Sequence, residues 1–409
     1  MTKLLKLLLV AGARPNFMKI APVIHAIRAN NAACNGTGRA IDFRLVHTGQ
    51  HYDEKMSGVF FQELGIPKPD DNLEVGSGSH AVQTANIMLA FEPVCLREKP
   101  DWVVVVGDVN STLACTLVAA KLGIPVAHIE AGLRSFDRAM PEELNRLVTD
   151  SLADLLLTPS ADADDNLRRE GVGEERVRRV GNVMIDSLVT HLKQADTADT
   201  LERLGLEPGR FVYVTLHRPS NVDTRESLEV IVRELAELSE NWTVVLPIHP
   251  RTRSRMAEFG LSFDSNPGVH LLEPLGYIDS LNLTRYARFL LTDSGGLQEE
   301  STYFRTPCLT LRPNTERPIT IELGSNFLTT ISTLRDDINQ LLTGPERLGQ
   351  IPPLWDGRTA GRIVHELLKP VPSSHHRAMT AFSTAFTSLH RQPPQPLNFS
   401  TRPLAGLFI

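Results

Sequence analysis

Several features are scarce or missing in this 409-residue chain. Cysteine occurs four times, at Cys34, Cys95, Cys115 and Cys308, with no CxxC pair. That argues against a disulfide framework and against a cysteine zinc motif, and it fits a reduced, cytoplasmic protein. No apolar run approaches the ~18 residues that a membrane-crossing helix requires. Positive charge is not in excess: 42 Lys and Arg stand against 48 Asp and Glu, for a net charge of −6. A chain built mainly to coat nucleic acid or an anionic membrane has the opposite balance, so neither is an expected partner. No metal-ligand spacing and no nucleophile elbow occur. The first glycine turn is not GxGxxG, so no metal and no dinucleotide cofactor are expected.

What is present is alternation of strand, loop and helix. Leu4–Val10 is an apolar run suited to a parallel strand buried on both faces. Lys3 and Lys6 before Leu7-Leu8-Leu9-Val10, and Ala11-Gly12-Ala13 after it, resemble a signal peptide. The short core and the immediate Arg14-Pro15 favour a first strand instead. Phe17–Ala29 carries Ile20, Val23, Ile24 and Ile27 at helical spacing. Strands are predicted at Ile41–His47, Trp102–Val106, Pro125–Ile129 and Leu155–Thr158, with helices at Asn110–Leu122 and Pro141–Ala153. The pattern weakens between Leu188 and Arg210, where a domain boundary is expected. It then resumes: strands at Phe211–Leu216, Thr243–Pro247, Val269–Leu272, Phe289–Thr292 and Pro307–Leu311, helices at Arg225–Leu238 and Leu297–Phe304. The fold class is therefore α/β, with two doubly wound domains, 1–195 and 205–350, and a crevice between the carboxyl ends of their strands. Residues 371–409 hold five prolines, three arginines and no acid, and read as a disordered tail.

Polar residues cluster where the predicted strands end. Gly12-Ala13-Arg14-Pro15-Asn16-Phe17-Met18-Lys19 leads from a strand into a helix N-terminus with two cations nearby, which suits an anion. Asp108 directly follows a strand in Gly107-Asp108-Val109-Asn110; a helix cap explains the same letters. Glu130, in His128-Ile129-Glu130-Ala131-Gly132, ends an interior strand, where a carboxylate is costly unless used or paired. Glu142 and Arg146 lie four apart on one helix and read as a pair. His217-Arg218 and His249 close strands in the second half. Thr292-Asp293-Ser294-Gly295-Gly296 opens a helix whose backbone N–H groups can hold a pyrophosphate. Glu300, one turn on, can accept hydrogen bonds from ribose. Together these place three carboxylates and a histidine around a crevice with an anion-binding floor.

The segments GARPNFMKIAP, TGQH, GDVNSTLA, HIEAGLRSFDRAMPEELNR, TLHRPSN, PIHPRTR, TDSGGLQEE and TERP occur in this order. They resemble the non-hydrolysing UDP-N-acetylglucosamine 2-epimerases, from about Lys3 through Asp356-Gly357-Arg358 and the helix after it. The resemblance implies two Rossmann-like domains in the glycosyltransferase-B arrangement, with the active site in the interdomain cleft. It further implies a C-terminal helix (357–370) crossing back to the first domain, a homodimer, and no cofactor. The implied reaction interconverts UDP-GlcNAc and UDP-ManNAc, through 2-acetamidoglucal and UDP, for surface polysaccharide. It also implies Asp108, Glu130, Glu142 and His217 as the catalytic set, with Arg14, Lys19, Arg146, Ser294, Gly295, Gly296, Glu300 and Arg317 binding the UDP-sugar.

In several bacterial members Gln50, His51, Arg218 and His249 belong to a second, activating UDP-GlcNAc site. Here Tyr52-Asp53, Pro219-Ser220 and Ile319 replace the residues common in those members. Enzymes acting on a UDP-2,3-diacetamido uronic acid have much the same motifs. That substrate, the hydrolysing reaction and a glycosyltransferase on the same scaffold remain the alternatives.

Overall fold

Two parallel sheets organise the chain. The computed structural model describes residues 4–34, 38–49, 61, 64–344 and 349–372, and of Arg14 the backbone only. Gln50, His51 and residues 373–409 of the expected tail lie outside the described residues.

The first sheet has seven strands: β1 (Leu5–Ala11), β2 (Ile41–His47), β3 (Asp71–Asn72), β4 (Trp102–Val106), β5 (Val126–Ile129), β6 (Leu155–Thr158) and β7 (Val177–Arg179). Their order is β3-β2-β1-β4-β5-β6-β7. The second has six: β8 (Phe211–Thr215), β9 (Thr243–Pro247), β10 (Val269–Leu272), β11 (Phe289–Thr292), β12 (Cys308–Leu311) and β13 (Asn326–Thr329), in the order β10-β9-β8-β11-β12-β13. Every pairing is parallel. This is the glycosyltransferase-B type of α/β architecture expected from the sequence.

The central strands are apolar throughout because helices cover both faces. All five residues of β4 are buried. One face of the first sheet packs Leu7, Leu9, Val104 and Val106 against Ile20, Val23 and Ile27 of the helix Arg14–Ala33. Ala360, Ile363, Val364 and Leu367 of the last helix, Thr359–Leu367, join that same core. Asp186 fixes the start of that helix by accepting from the backbone N–H groups of Thr359 at 3.0 Å and Ala360 at 2.7 Å. The second sheet builds its core from Val212, Val214, Val244, Leu246, Phe289 and Leu291 against Leu228, Ile231 and Leu235 of the helix Arg225–Leu238.

Candidate active site

Because all strands of a sheet run the same way, their carboxyl ends lie on one edge, and the polar residues that follow them are brought together there. In the first half, β1 runs into Gly12 and Ala13, whose N–H groups both donate to Asn16 Oδ1, at 3.3 and 2.9 Å. The Asn16 amide in turn donates to the Val106 carbonyl at the end of β4, 3.0 Å away. The first loop is thus tied to the second.

Gly107 follows, at φ +70°. A Cβ there would lie 3.3 Å from both Asn16 Nδ2 and Lys19 Nζ and 3.5 Å from Glu130 Oε2. The left-handed turn and the crowding together make glycine the fitting residue. Asp108 comes next, with its side chain 30% exposed, and pairs with Arg146. The expected Glu142–Arg146 pair does not form. Arg146 instead bonds Glu143 Oε2 through Nη2 at 2.7 Å, one residue nearer, and reaches across to Asp108. Glu143 is the better partner because it is buried and also accepts from the N–H groups of Ser135 and Phe136, each at 3.0 Å. Burial would raise its carboxyl, but those bonds and Arg146 hold it below the usual range. Glu142, half-buried, makes no hydrogen bond or ion pair among the described residues; its charge faces Arg218 of the second half.

Glu130 sits immediately after β5 at φ +73°, a region that costs a residue with a side chain of order 1–3 kcal/mol. Its N–H bonds the Leu157 carbonyl at 3.1 Å, which holds the turn and directs the carboxylate into the crevice. The carboxylate is 3% exposed. It pairs with Lys19 through one oxygen and with Arg317 Nη2 through the other, at 3.4 Å. Burial would raise this carboxyl, but Lys19 and Arg317 overcome it and keep it ionised below the ordinary range.

Arg317 belongs to the second half. Its Nε holds Glu299 at 2.6 Å and its Nη1 holds Glu316, whose other oxygen takes Arg312 Nη2 at 2.7 Å. Burial opposes ionisation of Glu316, but Arg317 and Arg312 depress its carboxyl strongly. Glu299 behaves in the opposite way: burial raises it, the charge of Glu130 adds to the rise, and its Oε2 has no hydrogen-bond partner among the described residues. Gly295 abuts this network, since a Cβ there would lie 2.9 Å from Arg317 Nη1. Gly295 and Gly296 form the first turn of the helix Gly295–Phe304, directly after β11 and Ser294, as the sequence predicts. Around Gly296 the space a side chain would take is open among the described residues. Glu300, one turn on, is buried; burial pushes its carboxyl up to about 8, against a smaller opposing effect of the Tyr277 hydroxyl.

His217 follows β8 and bonds Asp293 Oδ1 through Nδ1 at 2.9 Å. Asp293 is fully buried and also accepts from Arg218 N at 2.8 Å and Asn221 Nδ2 at 3.0 Å. Burial would raise its carboxyl; His217 and these donors lower it. The His217 ring is 43% exposed and faces the His249 ring, with centroids 5.3 Å apart. Arg218 has no ion-pair partner among the described residues, and burial, with Arg312 nearby, lowers its guanidinium. No group of three His, Cys, Asp or Glu residues poised for a metal ion occurs among the described residues.

Asp293, Glu299, Glu316 and Arg312 were not singled out as site residues from the sequence. Asp293 has a signal that would have found it: like Asp108, it stands where an interior strand runs out. Glu316 lies inside the TERP segment. Arg312 carries the same mark as Asp293, since it directly follows the interior strand β12, and its partner Glu316 lies only four residues on.

The profile of the UDP-N-acetylglucosamine 2-epimerase family matches residues 34–368. The chain belongs to that family. It is 44% identical over 333 residues to the UDP-N-acetylglucosamine 2-epimerase of Methanocaldococcus jannaschii, covering 79% of this chain and 88% of that one. It is 41% identical over 338 residues to the UDP-2,3-diacetamido-2,3-dideoxy-D-glucuronate 2-epimerase of Pseudomonas aeruginosa, covering 82% and 90% of the two chains. Its fold is similar to the crystal structure of the M. jannaschii UDP-GlcNAc 2-epimerase in complex with UDP-GlcNAc and UDP. The TM-score is 0.78 at 42% identity, covering 89% of this chain and 99% of that one. Epimerisation makes this protein an isomerase by family, and its carboxylates and cations stand in a crevice suited to an anionic sugar nucleotide.

Proposed function

We propose that this protein interconverts UDP-GlcNAc and UDP-ManNAc without releasing free sugar. Carbon 2 of the sugar has no adjacent carbonyl, so its proton is a poor acid. Loss of that proton becomes feasible when UDP departs from carbon 1 in the same sequence. The products are 2-acetamidoglucal and UDP, and re-addition of UDP with protonation from the opposite face completes the inversion. Such a site needs acid–base groups near carbon 2, positive charge at the departing pyrophosphate, and walls that keep both fragments aligned.

The observation that carries this reading is the Lys19–Glu130–Arg317 cluster, in which one buried carboxylate is held by cations from both halves of the crevice. We assign Glu130 and Glu142 to proton transfer at carbon 2 and Asp108, beside Arg146, to a sugar hydroxyl. His217, backed by Asp293, meets the leaving phosphate. The open turn at Gly295-Gly296 receives the pyrophosphate, and Glu300 takes the ribose hydroxyls. The product would feed surface polysaccharide synthesis in the cytoplasm; no described helix is long and apolar enough to cross a membrane.

A homodimer is part of the proposal. Val82, Leu89 and Leu96, at seven-residue spacing on the helix His80–Glu98, are 55%, 73% and 55% exposed. That apolar stripe suits a second copy of the chain.

The test is NMR of the protein with UDP-GlcNAc alone in D2O. Epimerisation puts deuterium at carbon 2 of both UDP-GlcNAc and a new UDP-ManNAc. Free sugar would mean the hydrolysing reaction. Absence of exchange, with exchange in a UDP-2,3-diacetamido uronic acid, would move the substrate to the one named for the Pseudomonas relative.

A further inference from the structure

His128 is the third residue of β5, two positions before Glu130, and its ring is fully buried. Both ring nitrogens face acceptors. Nδ1 lies 2.6 Å from Asp150 Oδ1, and Nε2 lies 2.8 Å from the Gly107 carbonyl. A neutral imidazole has one N–H, so it can satisfy only one of these. Asp150 cannot supply the missing proton cheaply. Its other oxygen already takes Arg134 Nη1 at 2.7 Å and the Gly132 N–H at 3.0 Å, and these partners favour its ionised form. Arg134 is anchored in turn by Glu170, with bonds of 2.8 and 2.7 Å. The chain Glu170–Arg134–Asp150–His128 therefore ends on one atom, the Gly107 oxygen.

That atom belongs to a crowded turn of the crevice. The alpha carbon of Gly107 faces Asn16, Lys19 and Glu130, and the next residue is Asp108, bonded to Arg146. We propose that His128, with a proton on each ring nitrogen, is a positioning residue for the site. By holding the Gly107 carbonyl it fixes the turn that seats Asp108 on one side and the Lys19–Glu130 pair on the other. His128 does not reach the sugar; it acts through Gly107. The charged ring also stands behind Glu130 and supports its ionised state. The charged groups around the ring are Asp150, Arg134 and Glu170 behind it and Glu130 and Lys19 in front.

The inference rests on the epimerase reading for its kinetic arm only. Gln and Asn separate the two bonds by length. In His128→Gln the amide nitrogen extends to the Gly107 carbonyl, whereas in His128→Asn it reaches only the Asp150 side. Both variants lose similar packing. Expected are similar melting temperatures for the two, UDP affinity by calorimetry close to that of the unchanged protein, and unchanged KM. The rate kcat should fall about 10²-fold in the Asn variant, as a small misplacement of catalytic groups does, and be largely rescued in the Gln variant. Equal kcat in the two variants would overturn the positioning role. No exchange in the unchanged protein would speak against the epimerase reading instead. The second measurement needs neither variants nor turnover: nitrogen-15 NMR of histidine-labelled protein at neutral pH. Two ring N–H protons on His128 are expected, and one alone would overturn the proposal.

Discussion

Arg317 in the second half of the chain donates across the crevice to Glu130 in the first, 3.4 Å from Nη2 to Oε1. The other oxygen of that carboxylate holds Lys19. Two cations from opposite sides thus converge on one anion, Arg317 while also holding Glu299 and Glu316. A pyrophosphate is more negative than a carboxylate, and its arrival would release Glu130 from at least one partner.

Glu130→Gln is accordingly expected to lower kcat by roughly 10²–10⁴, the usual loss for a positioned acid or base. UDP affinity should stay the same or tighten, because Lys19 no longer faces a competing carboxylate and Arg317 faces one fewer. Kinetics with UDP-GlcNAc and calorimetry with UDP, on the same preparation, separate the two effects. Turnover near that of the unchanged protein would remove Glu130 from proton transfer.

Glu300 gives a pH prediction. Its carboxyl stands at about 8 in the folded protein against 4.5 for the free group. Between those values the folded state holds a proton that the unfolded chain has lost. Stability of the ligand-free protein therefore falls as pH rises from about 4.5 to about 8, and levels off above. Glu300→Gln removes that group's contribution, so its melting temperature should decline less across this window and exceed that of the unchanged protein at pH 8. Parallel melting curves for the two would show that Glu300 does not titrate there. If Glu300 holds ribose, the same variant weakens UDP more than pyrophosphate.

Much of this arrangement was readable in the sequence, because parallel strands bury both faces and leave little choice of residue. Trp102–Val106, Leu155–Thr158 and Phe289–Thr292 were placed to the residue for that reason. Amphipathic helices with few large apolar residues, such as Ala161–Arg169, left no clear period and went unread. So did β7 and β13, which lie at sheet edges and carry arginine, asparagine or threonine in place of an apolar run. In the site, residues standing at strand ends were legible one by one, but their partners were not. Spacing put Arg146 with Glu142, whereas the backbone donors of Ser135 and Phe136 decide for Glu143. The partnership of Glu130 with Arg317 spans 187 positions, and no local pattern records it.

The exposed stripe on the helix His80–Glu98 predicts a dimer that one charge can break. Leu89, the most exposed of its three apolar residues, tolerates polarity in a monomer. Leu89→Asp should leave the melting transition cooperative while sedimentation shows half the mass of the unchanged protein. If the unchanged protein itself sediments at 45.3 kDa, the stripe does not join two copies.

The two glycines that open the helix Gly295–Phe304 are expected to fail differently, and the contrast tests where the nucleotide lies. A side chain at Gly295 would stand 2.9 Å from Arg317 Nη1 and 3.1 Å from Glu316 Oε1. Arg317 is long, but Glu130, Glu299 and Glu316 pin its guanidinium, so it cannot move aside without breaking buried ion pairs. Gly295→Val should therefore lower the melting temperature and weaken UDP binding together. At Gly296 nothing among the described residues, the helix's own backbone apart, stands within 4 Å of an added Cβ. Gly296→Ala should leave the ligand-free protein as stable as before, or more stable by up to about 1 kcal/mol through helix propensity. Its UDP affinity should nevertheless fall, because a methyl group occupies the space through which phosphate oxygens reach the backbone N–H groups. Calorimetry with UDP and a thermal melt on each variant decide the matter. Normal UDP binding by Gly296→Ala would show that the pyrophosphate does not sit on this turn, and the proposed site for the leaving group would have to move toward Arg218 and His249.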